Sequence, residues 1–214
     1  MSASRGQLIT LEGGEGAGKS TVLAALETFL HEQGVDILRT REPGGTPAGE
    51  AIRAVLLDRA HTLCAQSELL LMFASRAQLV DEVVAPALAA GRWVLADRFT
   101  DASYAYQGAG RGLDPGWIAE LERRVVGVRP DLTLWLDLPV ETGLQRARQR
   151  GGEADRIESE RVEFFERVRE GYARLAAADP ARVVRVDASQ PAEQVAADAV
   201  RAIRRRWFSE RTRA

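Results

Sequence analysis

The chain is short of several residues whose abundance would point elsewhere. It has a single cysteine, Cys64, in 214 residues, which excludes an internal disulfide framework and leaves a cysteine-rich metal site without ligands. Its two histidines, His31 and His61, have no second histidine or cysteine at ligand spacing, which argues against a zinc site. No apolar run approaches the ~18 residues that cross a bilayer, and Met1–Gln7 is too polar for the apolar core of a signal peptide. The expectation is a soluble, cytoplasmic chain with no membrane partner. Neither sign of charge dominates: 29 Lys+Arg against 31 Asp+Glu leave a net charge of −2. So balanced a chain gives no reason to expect general binding to nucleic acid. Lysine is nearly absent, since of the 29 basic residues only Lys19 is a lysine and the other 28 are arginine.

What is present suits a single α/β domain spanning residues 1–214, with 45% hydrophobic residues and no linker that divides it. Short aliphatic runs read as strands at Gln7–Glu12, Val35–Arg41, Trp93–Asp97, Leu132–Asp137 and Arg182–Asp187. Helical patterns lie between them at Lys19–Gln33, Pro47–Leu57, Gln66–Ala89, Pro115–Val126, Val140–Gln149, Ser159–Ala178 and Pro191–Arg206. Alternation of this kind predicts a five-stranded parallel sheet flanked by helices in three layers, with ligands at the carboxyl edge of the strands. In the tail, Ile203, Trp207 and Phe208 are expected to dock the last helix while Arg204, Arg205 and Arg206 stay solvated.

The first strand runs into Gly13-Gly14-Glu15-Gly16-Ala17-Gly18-Lys19-Ser20, followed by Thr21 and an amphipathic helix. This is the G-x-x-x-x-G-K-[ST] pattern of a P-loop, whose curled backbone aims N–H groups at a triphosphate. It predicts the P-loop NTPase fold, with Lys19 reaching the β- and γ-phosphates of ATP and the Ser20 hydroxyl on Mg²⁺. Asp97, which ends the third predicted strand, is the second candidate metal ligand. Arg41, Arg76 and Arg98 stand at strand ends or on the long helix, where paired guanidinium hydrogen bonds would clamp a second phosphate. A cluster of charges at residues 146–157, broken by Gly151-Gly152, reads as a short mobile lid. On this footing a nucleoside monophosphate or deoxynucleoside kinase stands beside a P-loop switch that merely hydrolyses ATP. An acceptor-dependent rate separates them.

Longer stretches carry a resemblance. GGEGAGKST (13–21), TREPGGTPAGE (40–50), LLLMFASRAQL (69–79), DRFTDASYAYQGAGRG (97–112), RPDLTLWLDLP (129–139) and RARQRGGEADRIE (146–158) together resemble the bacterial thymidylate kinase family, from Leu8 to about Tyr172. The resemblance implies phosphoryl transfer from ATP to dTMP with Mg²⁺, and a homodimer formed through the leucine-rich helix. It also implies residue roles. Glu15 accepts the 3′-hydroxyl of dTMP; Arg41 and Arg98 hold its phosphate; Arg76 donates to thymine O4; Ser103 and Gln107 contact the base edge. Tyr106 lies under the deoxyribose, and Glu158 sits just past the lid. With Ala17 rather than arginine before Gly18, Arg150 is the lid arginine that meets the transferring phosphoryl group. The family's stacking phenylalanine commonly stands four residues before the helix arginine. Here Met72 has that place and Phe73 is three before, about 100° away around the helix, so the sequence leaves either Phe73 or Met72 to cover the base.

Overall fold

The computed structural model describes residues 5–149, 151 and 154–208. Five strands, β1 (Leu8–Gly13), β2 (Ile37–Arg41), β3 (Trp93–Asp97), β4 (Leu132–Asp137) and β5 (Val183–Asp187), form one parallel sheet in the order β2-β3-β1-β4-β5. β1 is central, and the chain goes first to one side of it and then to the other. That switch opens a crevice at the carboxyl end of β1.

The two faces of the sheet are buried differently. Ile9 and Leu11 of β1 point to one face with Leu95, Leu134 and Leu136, beneath α1 (Lys19–Glu32) and α9 (Ala192–Trp207). Trp207 packs on Trp93 at 4.9 Å and Phe208 on Phe29 at 5.6 Å between ring centroids, so the tail docks through the aromatic pair expected from its sequence. On the opposite face Leu8, Val94 and Ala96 meet α3 (Ala65–Leu79), while Trp135 and Val183 meet α8 (Val162–Ala178). At this second face β1 also places Thr10 and Glu12, both wholly buried. Thr10 pairs with Thr133, whose hydroxyl donates to Asp101 at 2.7 Å, and Arg182 closes the seam on Asp101. Buried polar groups of this kind are tolerated because each meets a partner.

Several helices depart from the predicted periodicity. The pattern over Gln66–Ala89 is α3, then a π-helical stretch Val80–Val84, then α4 (Ala85–Ala89). Pro86 has no N–H to donate, and the widened turn just before it absorbs the missing bond. The Pro115–Val126 pattern is α6 (Pro115–Leu121) followed by a π turn, and α8 begins at Val162 rather than Ser159. A helical stretch with no periodic signal, α5 (Thr100–Ser103) continued by π-helical Tyr104–Gly110, follows β3 and carries much of the site. No helix among the described residues is long and apolar enough to cross a membrane.

The loop after β1 rests on α7 (Val140–Gln149) backbone to backbone. A Cβ on Gly143 would lie 2.4 Å from the carbonyl oxygen of Glu15, and one on Gly16 would lie 2.1 Å from that of Gly143. Gly143→Ala is therefore expected to cost ~1–3 kcal/mol of overpacking and to lower the melting temperature by roughly 2–4 °C per kcal/mol in a chain of this size. A thermal melt unchanged from the parent would show that the loop can retreat freely.

Candidate active site

The carboxyl ends of β1, β2 and β3 open into a cavity of about 410 Å³. One wall is the P-loop, where residues 15–21 all border the cavity. Gly18 precedes α1 in a left-handed conformation, φ 87°, that turns the chain into the helix. Lys19 Nζ lies back along the loop and donates to the carbonyls of Gly14 and Gly13 at 3.1 and 3.4 Å. Burial, then the charge of Arg98, holds its ammonium below the ordinary lysine value, against the pull of Glu15, Asp97 and Glu12. Gly13 and Gly14 form the loop's base, with Gly14 bordering a smaller neighbouring pocket.

Arg98 joins the walls. Its φ of 70° is the one positive value at a non-glycine residue among those described, a conformation that costs an L-residue ~1–2 kcal/mol. It is held by flanking bonds: Arg98 N–H donates to Leu11 O at 2.9 Å, and Phe99 N–H to Glu12 Oε1 at 2.7 Å. From there the guanidinium donates to Gly13 O at 2.9 Å, to Glu15 Oε1 at 2.8 Å and to the Tyr172 hydroxyl at 3.3 Å, over the Tyr106 ring. Tyr106 also donates to Glu15 Oε1. The Tyr172 hydroxyl donates to Glu12 Oε2 at 2.7 Å. Glu12 is wholly buried; that burial, with Asp101 nearby, pushes its carboxyl up to about 8 despite Arg98 and the bonds from Tyr172 and Phe99.

The opposite wall carries Arg41, Glu42, Arg53 and Met72, with Tyr106 and Gln107 of the π-helical stretch between the walls. The Arg41 Nη2 group bonds both Glu50 oxygens at 2.8 Å, and Arg53 donates to Pro43 O at 2.9 Å. Arg146, Asp155 and Ile157 of the predicted lid and Glu158 just past it also line the cavity. Arg150 lies outside the described residues.

Three expected base contacts are not in the cavity wall. Of the two candidates for covering the base, Met72 borders the cavity, whereas Phe73 is buried in the core behind, 4.7 Å beneath the Arg76 guanidinium. Four-residue spacing from Glu68 places Met72 on that helix's inward stripe, whereas Phe73, one position on, turns towards the sheet. Arg76 is wholly buried, bonded to Glu42 at 2.8 Å, to Ser103 Oγ at 3.1 Å and to Phe99 O at 3.1 Å. Arg76 and Ser103 thus form the layer behind Glu42, whose burial raises its carboxyl against the pull of Arg76.

A family model described as thymidylate kinase matches residues 11–199. The chain belongs to the thymidylate kinase family. A thymidylate kinase of Alkalilimnicola ehrlichii is 56% identical over 211 residues, covering 96% of this chain and 97% of that protein. One of Teredinibacter turnerae is 54% identical over 200 residues, covering 92% and 97%. Among solved structures, the crystal structure of thymidylate kinase from Ehrlichia chaffeensis superposes with a TM-score of 0.75 at 29% identity, covering 93% of this chain and 99% of that one.

Members of the thymidylate kinase family are ATP-dependent nucleoside monophosphate kinases, and the donor set here suits a hard divalent cation such as magnesium. Ser20 and Asp97 offer hard oxygens on one cavity, and no three His, Cys, Asp or Glu side chains among the described residues form a metal cage. A cation held by one or two protein oxygens, its other positions filled by phosphate and water, is the usual state of Mg²⁺. Sequence reasoning missed Glu12, Arg53 and Tyr172. Glu12 and Tyr172 meet across 160 positions, so no local pattern betrays the pair.

The folded chain keeps the Glu12 proton to about pH 8, whereas the unfolded chain releases it near 4.5. This group's contribution to stability is thus complete below 4.5 and is lost as the pH climbs towards 8. Glu12→Gln keeps an acceptor for Phe99 N–H and has no proton to lose. Its melting temperature should fall less across that window than the parent's; parallel melting profiles would contradict the assignment.

Proposed function

We propose that the chain transfers the γ-phosphoryl group of ATP to dTMP, giving ADP and dTDP for dTTP synthesis. The observation that carries the reading is the convergence of a P-loop and three arginines, Arg41, Arg53 and Arg98, on one cavity. A triphosphate and a phosphomonoester must meet in line, and separate cationic cradles on facing walls overcome the repulsion between them.

In this reading residues 13–21 hold the triphosphate and Lys19 follows the charge that develops during transfer. Ser20 and Asp97 hold Mg²⁺, which when bound neutralises charge on the β- and γ-phosphates. Arg98, Arg41 and Arg53 grip the dTMP phosphate. Glu15, already bonded to Arg98 and Tyr106, accepts the 3′-hydroxyl, and Tyr106 blocks the position of a 2′-hydroxyl. Met72 covers the base and Gln107 reads its edge, with Arg76 and Ser103 fixing Glu42 and the turn behind them. Arg150 and the lid bring positive charge over the transferring group. The attacking phosphate oxygen is ionised at neutral pH, so the chain needs no general base. Two copies pair through α2 (Pro47–Leu57) and α3, where Val55 and Leu70 stay exposed, and the reaction takes place in the cytoplasm.

A coupled assay of ADP release with ATP, Mg²⁺ and each pyrimidine monophosphate in turn tests the reading. The 5-methyl group is worth on the order of 1 kcal/mol in an apolar pocket. dUMP is therefore expected to react measurably but less well than dTMP, and dCMP hardly at all. A rate of ATP consumption that no monophosphate changes would overturn the proposal.

Lys19→Ala is expected to lower turnover by roughly 100-fold or more and to leave the KM for dTMP little altered. A pure KM effect would mean that the ammonium acts on binding rather than on transfer.

A further inference from the structure

We propose that Glu68 is a positioning residue that sets the hydrogen-bonding sense in which the base is read. Its carboxylate pins the Gln107 amide so that the carbonyl oxygen, and not the NH₂ group, faces the cavity. The inference rests on the reading of that cavity as the dTMP site.

Gln107 borders the cavity and is 1% exposed. Its Nε2 donates to Glu68 Oε1 at 2.9 Å, and its buried Oε1 has no hydrogen-bond partner among the described residues. Glu68, near the start of α3, is also 1% exposed. Arg111 Nε and Nη2 donate to its two oxygens at 3.2 and 3.0 Å, and Arg156 Nη2 stands 2.8 Å from Oε2. Burial alone would raise this carboxyl; the bonds from Arg111 and Gln107, the Arg111 charge and Arg156 outweigh it and bring the value below that of an ordinary glutamate.

An ionised carboxylate accepts hydrogen bonds and cannot donate one. Facing it, the amide of Gln107 has a single favourable orientation, nitrogen towards Glu68 and oxygen away. The choice of end, ordinarily ambiguous for a glutamine, is fixed here by chemistry. The oxygen that results is an acceptor in a largely dehydrated wall. It suits the N3–H of thymine or uracil, whereas N3 of cytosine would set one lone pair against another. Leaving such groups unpaired in a buried site is costly, which is how polar contacts give discrimination that apolar ones cannot. Glu68 touches no base in this arrangement. It acts through Gln107, and Arg156 from the predicted lid ends on the same carboxylate, with its Nε on Leu56 O at 2.7 Å.

The test is the ratio of kcat/KM for dTMP to that for dCMP. In Glu68→Gln the neighbour can itself donate, the Gln107 amide is free to invert, and the ratio should fall by roughly tenfold or more, chiefly through a higher KM for dTMP. Arg111→Gln strips a charge from Glu68 without touching the amide. It removes the chief partner that keeps Glu68 ionised, so the ratio should fall in the same direction as in Glu68→Gln but by less. In the double variant Glu68→Gln/Gln107→Leu the ratio should equal that of Gln107→Leu alone. The parent enzyme should also reject N3-methyl-dTMP, which needs no variant to fold. If the parent phosphorylates dTMP and folded Glu68→Gln keeps the parent's ratio, the positioning role is overturned while the dTMP reading stands. Turnover of N3-methyl-dTMP near that of dTMP overturns it equally. No turnover of dTMP by the parent overturns the reading beneath it.

Discussion

Repulsion among like charges is the constraint around which this site is built. Lys19, Arg41, Arg53, Arg98 and Arg146 border one cavity of about 410 Å³. Cations gathered so closely away from bulk water repel strongly. The chain answers with carboxylates: Glu15, Glu42, Asp97, Asp155 and Glu158 border the same space. Arg98 lies on Glu15, and Arg41 on Glu50 just outside. A phosphate entering the cavity thus competes with, or shares, partners that the arginines already hold. The arrangement offers cations to an anion without leaving isolated buried charge in the protein itself.

Holding those side chains still demands a second layer. The left-handed Arg98 backbone is fixed by Glu12 and Leu11, and its guanidinium by Tyr172. Glu42 is backed by Arg76 and Ser103, and the Gln107 amide by Glu68. Each contact buries charge or polarity at a desolvation cost, so none is an obvious source of stability. Their common effect is to give each cavity-facing group one orientation, which catalysis by preorganised charge requires.

Much of this was legible in the sequence. β3 and β4 fall on the predicted residues, because strands buried on both faces read as uninterrupted aliphatic runs. The P-loop, Asp97 and Arg98 were legible because the chemistry there is local, a few glycines and a strand end. The rest depended on tertiary choices. The turn of one residue that puts Met72 rather than Phe73 at the cavity is decided by how α3 rolls on the sheet, not by propensity. The π-helical stretch of Tyr106 and Gln107 has no 3.6-residue signature. Glu68 lies 39 positions from the amide it orients, and Arg53 is one arginine among 28. Only the fold distinguishes them.

On the proposed function, one cavity receives both anions end to end. Titration calorimetry with a dinucleotide joining adenosine and thymidine through a chain of phosphates tests it most directly. One molecule should bind per chain, more tightly than ATP or dTMP alone, and be displaced by either. Binding no tighter than ATP, with dTMP still able to bind alongside, would contradict it.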